Sequence, residues 1–243
     1  RKTGNRRGVA LSQVWLGWKE GDIEDEEGWR IADESVATAR ETEDPWAIAW
    51  CLKVAYSHLR RHDKTLDSRR KALEEAITLA RETGDPFLLS QTLNGMGNVF
   101  SWIRELEAAE PWYLDSLRIA REIGDSWSIL DNIFYLADGS LKLGRIDKAK
   151  GLLAEGLRLS LEYGARGYLG WFIGGFYNVA CSEGRYKRAV RLGAFSESIL
   201  NPGSRYDSSF AQRFGLDDEV AATEWKIGQA MSSEDALSYA LSG

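Results

Sequence analysis

Proline is scarce: 4 residues of 243, against 24 glycines. Long runs of Val, Ile or Thr are missing too. Together these absences exclude a β-rich chain and point to helices. Histidine and cysteine number two each, too few for a histidine-rich metal centre or a disulfide-stapled domain. Cys51 and Cys181 each sit in an apolar helical pattern, where a thiol serves as a small hydrophobe. Buried free thiols in a reducing, cytoplasmic compartment are expected. No stretch of about 18 apolar residues exists, so no membrane span is expected. No signal peptide is visible either. Positive charge is not in excess: 31 basic against 37 acidic side chains leave a net charge of −6. That argues against nucleic acid as the partner of the whole surface. The chain opens on "RKTGNRR" without an initiator Met, which leads to the expectation of a piece of something larger.

Catalytic signatures are lacking as well. There is no Gly-x-x-x-x-Gly-Lys phosphate loop and no Gly-x-Ser-x-Gly elbow. The glycines of "GARGYLG" fall between two helices, where a turn accounts for them. His58 and His62 lie four apart, a spacing that can present two metal ligands. Only Asp63 is at hand as a third, so a solvated helix end is the plainer reading. The acidic run from Glu24 to Glu27 reads as a helix start. The chain is therefore expected to be non-enzymatic, with no cofactor and no metal.

What is there is a repeat. "ARETEDPW" begins at Ala39, "ARETGDPF" at Ala80, "AREIGDSW" at Ala120 and a worn copy, "SLEYGARG", at Ser160. The copies are 41, 40 and 40 residues apart, a period that signals stacked helical units. In the third unit Asp85 can cap a helix and Pro86 suits its first turn. Leu89, Leu93, Met96, Val99, Phe100 and Ile103 then follow at helical spacing. A second helical run carries Ala109, Trp112, Tyr113, Leu117 and Ala120, and Gly124 closes it. Gly97, Ala109 and Ser116 beside Phe100 and Tyr113 predict close packing of the two helices. Ala137, Ala149 and Gly156 repeat the arrangement one unit on.

The segments "NGMGNVF", "LEAAEPWYLDSLRIA" and "LGRIDKAKGLLAEGLRL" resemble the tetratricopeptide repeat in its forty-residue form. The resemblance covers about residues 8 to 199 and implies five helical hairpins in a right-handed α-α superhelix. Arg69 falls where that family usually has alanine. The tail motifs "CSEGRYKRAVRLGAFSESI" and "EWKIGQAMSSEDALSYAL" resemble the C-terminal repeat region of bacterial signalling-ATPase regulators, the STAND and LuxR-type group. Bottom-up, "NPGSR" ends the repeats. Helices are then expected over Ser209 to Phe214, from Leu216 with Val220, Ala221, Trp225 and Ile227 on one side, and from Ser232 or Ser233. The chain is thus all-α, with repeats over 1–199 and capping helices over 200–243.

In that family the first helix of each hairpin lines a concave groove. By this resemblance the binding residues are Gln91, Asn94, Asn98 and Trp102; Asp131, Phe134 and Asp138; and Trp171 and Asn178. Amides can hydrogen-bond a peptide backbone and rings anchor it. Of the 10 tryptophans, Trp15, Trp18, Trp46, Trp50, Trp102, Trp127 and Trp171 fall on expected first helices. A basic cluster, Arg60, Arg61, Lys64, Arg69, Arg70 and Lys71, reads either as a patch for an acidic partner or as a solvated loop with pairs such as Arg70 with Glu74. The expected function is a protein- or ligand-binding repeat module, the sensor or scaffold of a larger regulator, taking a protein or peptide segment or a small inducer. The other reading is a stand-alone assembly scaffold.

Overall fold

The recurring phrase folds as a helix junction held by its threonine, glycine and aspartate. In the copy at Ala80, Thr83 Oγ1 donates to the Ala80 carbonyl and accepts from the Asp85 amide. Gly84 takes a left-handed φ of 67° that closes the preceding helix. Asp85 Oδ1 accepts from the amides of Phe87 and Leu88 at 2.9 and 3.2 Å, capping the next helix. Thr42 and Asp44 repeat these contacts one copy earlier. There Trp46 Nε1 also donates to Asp85 Oδ2 at 2.7 Å, tying one copy to the next. The worn copy has Ala165 at the cap, and no side chain caps that helix.

The computed structural model describes residues 5–20, 26–57 and 65–242, and among these there are helices and no strand. They divide into two compact units, Arg1–Asn132 and Ile133–Gly243. The first holds α1 (Arg6–Glu20), α2 (Glu26–Arg40), α3 (Pro45–Ser57), α4 (Leu66–Thr83), α5 (Pro86–Trp102), α6 (Leu106–Ile123) and the start of α7 (Ser126–Lys142). From α1 to α6 each helix packs on the next, and α3 also packs on α1 and α5. That is the pattern of stacked hairpins. The second unit holds the rest of α7, α8 (Ile146–Glu162), α9 (Arg166–Ser182), α10 (Tyr186–Leu200), α11 (Ser209–Phe214), α12 (Asp218–Ala230) and α13 (Ser233–Leu241). Here α9 packs between α8 and α10, while α12 lies on α10.

The expected close packing is present. A Cβ on Gly97 would stand 2.6 Å from the Tyr113 ring, and one on Gly156 would run into Phe172. Ala109 and Ser116 are buried beside them. In the tail, Ser232 and Asp235 form the capping box of α13. Ala221 and Trp225 are buried on α12, but Ile227, placed with them by spacing, is 40% exposed. The buried stripe of α12 is Ala221, Trp225 and Gly228, and Ile227 falls outside it. Cys51 is a buried free thiol, whereas Cys181 is only half-buried. Among the described residues no helix is long and apolar enough to cross a membrane.

Candidate functional site

The odd-numbered helices carry all nine expected binding residues, but the structure distributes them between two settings. In the first unit they enter a polar network. Lys53 on α3 donates from Nζ to Gln91 Oε1 at 3.0 Å. Gln91 Nε2 donates in turn to Ser128 Oγ on α7 at 2.7 Å. Asn94 Nδ2 donates to Asp131 Oδ2 at 3.0 Å and to Asn132 Oδ1 at 3.2 Å. Lys53 is buried, so its charged form is disfavoured and its pKa is pushed down to about 8; Asp131 opposes the shift. Its Nζ lies 5.4 Å from the Trp50 ring centroid. Trp50 stacks on Trp46 at 5.4 Å and on Phe87 at 5.9 Å, extending the network into an aromatic strip.

Two expected ligand contacts are turned inward. Asn98 is fully buried: it accepts from the Tyr113 hydroxyl at 2.8 Å and donates to Asn94 at 3.3 Å. Its amide therefore joins α5 to α6 and does not face a groove. Trp102 lies under the Arg69 guanidinium, 4.7 Å from its ring centroid. Arg69 itself is buried, and its Nε donates to the Tyr56 carbonyl at 3.1 Å. That corrects its place in the basic patch: a long side chain at a position suited to alanine folds back onto the hairpin. Arg70 pairs with Asp67 and Glu74, and Lys71 with Asp67, as a solvated helix face would. Arg60, Arg61 and Lys64 lie outside the described residues, as do His58, His62, Asp63, Glu24 and Asp25. Among the described residues no group of three or more His, Cys, Asp or Glu gathers to hold a metal ion.

In the second unit the structure brings four expected residues together. Phe134 and Asp138 from α7, with Trp171 and Asn178 from α9, line one cavity of about 420 Å³. That volume suits a small molecule or a few side chains. Phe134 and Trp171 form an aromatic wall with centroids 5.4 Å apart, and Tyr168 braces Trp171 edge-on at 5.0 Å. Asp138 accepts from Lys142 Nζ at 2.6 Å. Sequence reasoning missed the floor and the far side. Gly174 and Gly175 of α9 and Gly193 of α10 keep the space open: a Cβ there would meet Ser196, Leu153 and Tyr177 respectively. The Gly-Gly pair in the middle of a helix was the available signal. Arg213 arrives from α11, outside the forty-residue period, so nothing in the repeat announces it. Burial raises the pKa of both Tyr177 and Cys181, which hydrogen-bond each other beside this cavity.

No family model matches the chain. It is 25% identical over 140 residues to two mycobacterial proteins, each titled "Putative HTH-type transcriptional regulator", from Mycobacterium tuberculosis strain H37Rv and from Mycobacterium bovis. The match takes in 54% of this chain and 15% of each relative. Among solved structures it is similar to aspartyl phosphate phosphatase F from Bacillus subtilis, with a TM-score of 0.60 and 16% identity. That likeness covers 95% of this chain and 62% of the other, and it is a likeness of all-α helical-repeat fold.

Proposed function

We propose that this chain is a non-catalytic binding module of a larger bacterial regulator, with tetratricopeptide-like hairpins over 1–199 and covering helices over 200–243. Its ligand, a short peptide segment or a small effector, enters the cavity lined by Phe134, Asp138, Trp171 and Asn178. The observation that carries this reading is that convergence. Residues that the repeat resemblance points to meet around one open space with aromatic walls, a glycine floor and a few polar groups. The similarity to transcriptional regulators supports the regulatory setting. Gln91 and Asp131 with the Trp50 strip offer a further polar and aromatic surface for a partner segment in the first unit.

The test is a ligand screen read by native mass spectrometry and confirmed by Trp fluorescence. A ligand of this site is weakened about tenfold or more by Trp171→Ala and by Asn178→Ala. It is unaffected by Trp127→Ala, an exposed ring on α7 that does not line the cavity. Equal binding by all three variants would remove the proposal.

A further inference from the structure

A second cavity in the Ile133–Gly243 unit, open and about 510 Å³ in volume, differs from the first in chemistry. Arg185, Lys187, Arg188 and Arg191 line it, together with Tyr239 of α13 and Glu224 of α12. Four cations at one place stand out in a chain of net charge −6. Two are answered: Arg185 pairs with Glu183, and Arg191 pairs with Glu224 at 2.6 Å. Two are not. Among the described residues no carboxylate pairs with Lys187 or Arg188.

Arg188 is held in place without being neutralised. Its Nη2 donates to the carbonyls of Tyr239 and Ala240 at 2.6 and 2.9 Å, which satisfies the end of α13. Neutral carbonyls do not cancel the positive charge, which the Glu183 carboxylate attracts without pairing with it, and Nε and Nη1 make no hydrogen bond among the described residues. The Tyr239 ring fixes the geometry further: the guanidinium carbons of Arg188 and Arg191 lie 4.7 and 4.8 Å from its centroid. Burial disfavours the charged form of Arg188, so an anion that restores its balance gains more here than at a solvated arginine. Pre-set guanidinium forks with an ammonium beside them match a tetrahedral dianion better than a single carboxylate.

We propose that this cavity binds the phosphate group of a small molecule through Lys187, Arg188 and the free edge of Arg191. The site is separate from the aromatic cavity and does not depend on what that cavity takes. The experiment is calorimetric titration of the 243-residue chain with inorganic phosphate at fixed ionic strength in chloride. Saturable binding is expected, weakened about tenfold in Lys187→Gln and in Arg188→Gln. Arg118→Gln, on α6 and outside the cavity, keeps the affinity of the parent chain. Lys187 is exposed and makes no hydrogen bond or ion pair among the described residues, so its variant stays informative even if Arg188→Gln loosens α13. Competition by glycerol 3-phosphate is expected; its failure, with inorganic phosphate still bound, would overturn the assignment to the phosphate group of a small molecule. The proposal is overturned if phosphate binds no better than chloride or if Lys187→Gln and Arg118→Gln behave alike. It is overturned equally if hexaglutamate binds as tightly as phosphate, which would make the cluster a docking patch for acidic protein.

Discussion

Gly97 lies so close under Tyr113 that a single methyl group tests the hairpin. Alanine favours a helix over glycine by about 1 kcal/mol. Gly97→Ala is nevertheless expected to destabilise the chain, by roughly 1–3 kcal/mol, because the ring and its bond to Asn98 have to shift. Urea unfolding reads this directly, and a stabilised variant would contradict the packing. Arg104 is the opposite case. It holds a φ of 65°, a conformation that Gly144 and Gly184 supply at the corresponding turns. Arg104→Gly is expected to raise the thermal midpoint, with a gain of roughly 0.5–1 kcal/mol after the entropy cost of glycine is counted.

Lys53 gives a pH signature. Folded, it releases its proton near pH 8; unfolded, at about 10.4. Between those values the unfolded chain binds the extra proton, so the penalty for burying Lys53 shrinks as pH rises. Cys51, pushed up to about 11 by burial, works in the other direction: its share of stability is present below its unfolded pKa and lost as pH rises through 11. Comparison with Lys53→Met isolates the lysine. The advantage of the Met variant in urea midpoint is expected to be largest at pH 8 and below and to decline towards pH 10.5. A pH-independent difference would mean that Lys53 is not desolvated.

At the scale of elements, α12 is seated on α10 through contact that leaves no slack. A Cβ on Gly228 would stand 2.2 Å from the Arg191 carbonyl oxygen, which is backbone and cannot swing away. Gly228→Ala is therefore expected to lift α12 and expose Trp225, now 2% accessible; a red shift of its fluorescence is the readout. Trp225→Ala should cost roughly 3–5 kcal/mol for the same contact. The elements themselves were largely legible. The phrase from Ala80 to Phe87 names its own cap, turn glycine and helix start, and each local bond is made by residues within six positions of each other. α13 was legible for the same reason, through Ser232 and Asp235. The inward turn of Asn98 was not. Helical spacing places it on the right face, but its partner Tyr113 sits on the next helix, and burial by that ring is a tertiary fact. Arg69 escaped likewise, because only the hairpin geometry brings Tyr56 and Trp102 within its reach.

At the scale of the whole molecule, each compact unit carries its own chemistry: a lysine-centred polar network in one, an aromatic cavity and a basic cavity in the other. Half of the aromatic cavity could be read from the repeat resemblance, which points to Phe134, Asp138, Trp171 and Asn178 on the first helices of successive units. The other half depends on Gly193 of α10, which no motif singles out, and on Arg213 of α11, which lies outside the period. Hydrogen–deuterium exchange with and without a ligand found by the screen tests the central claim most directly. Protection is predicted at the C-terminal part of α7, along α9 and α10, and at α11. Protection confined to other helices, with these four unchanged, would contradict the assignment of that cavity as the binding site.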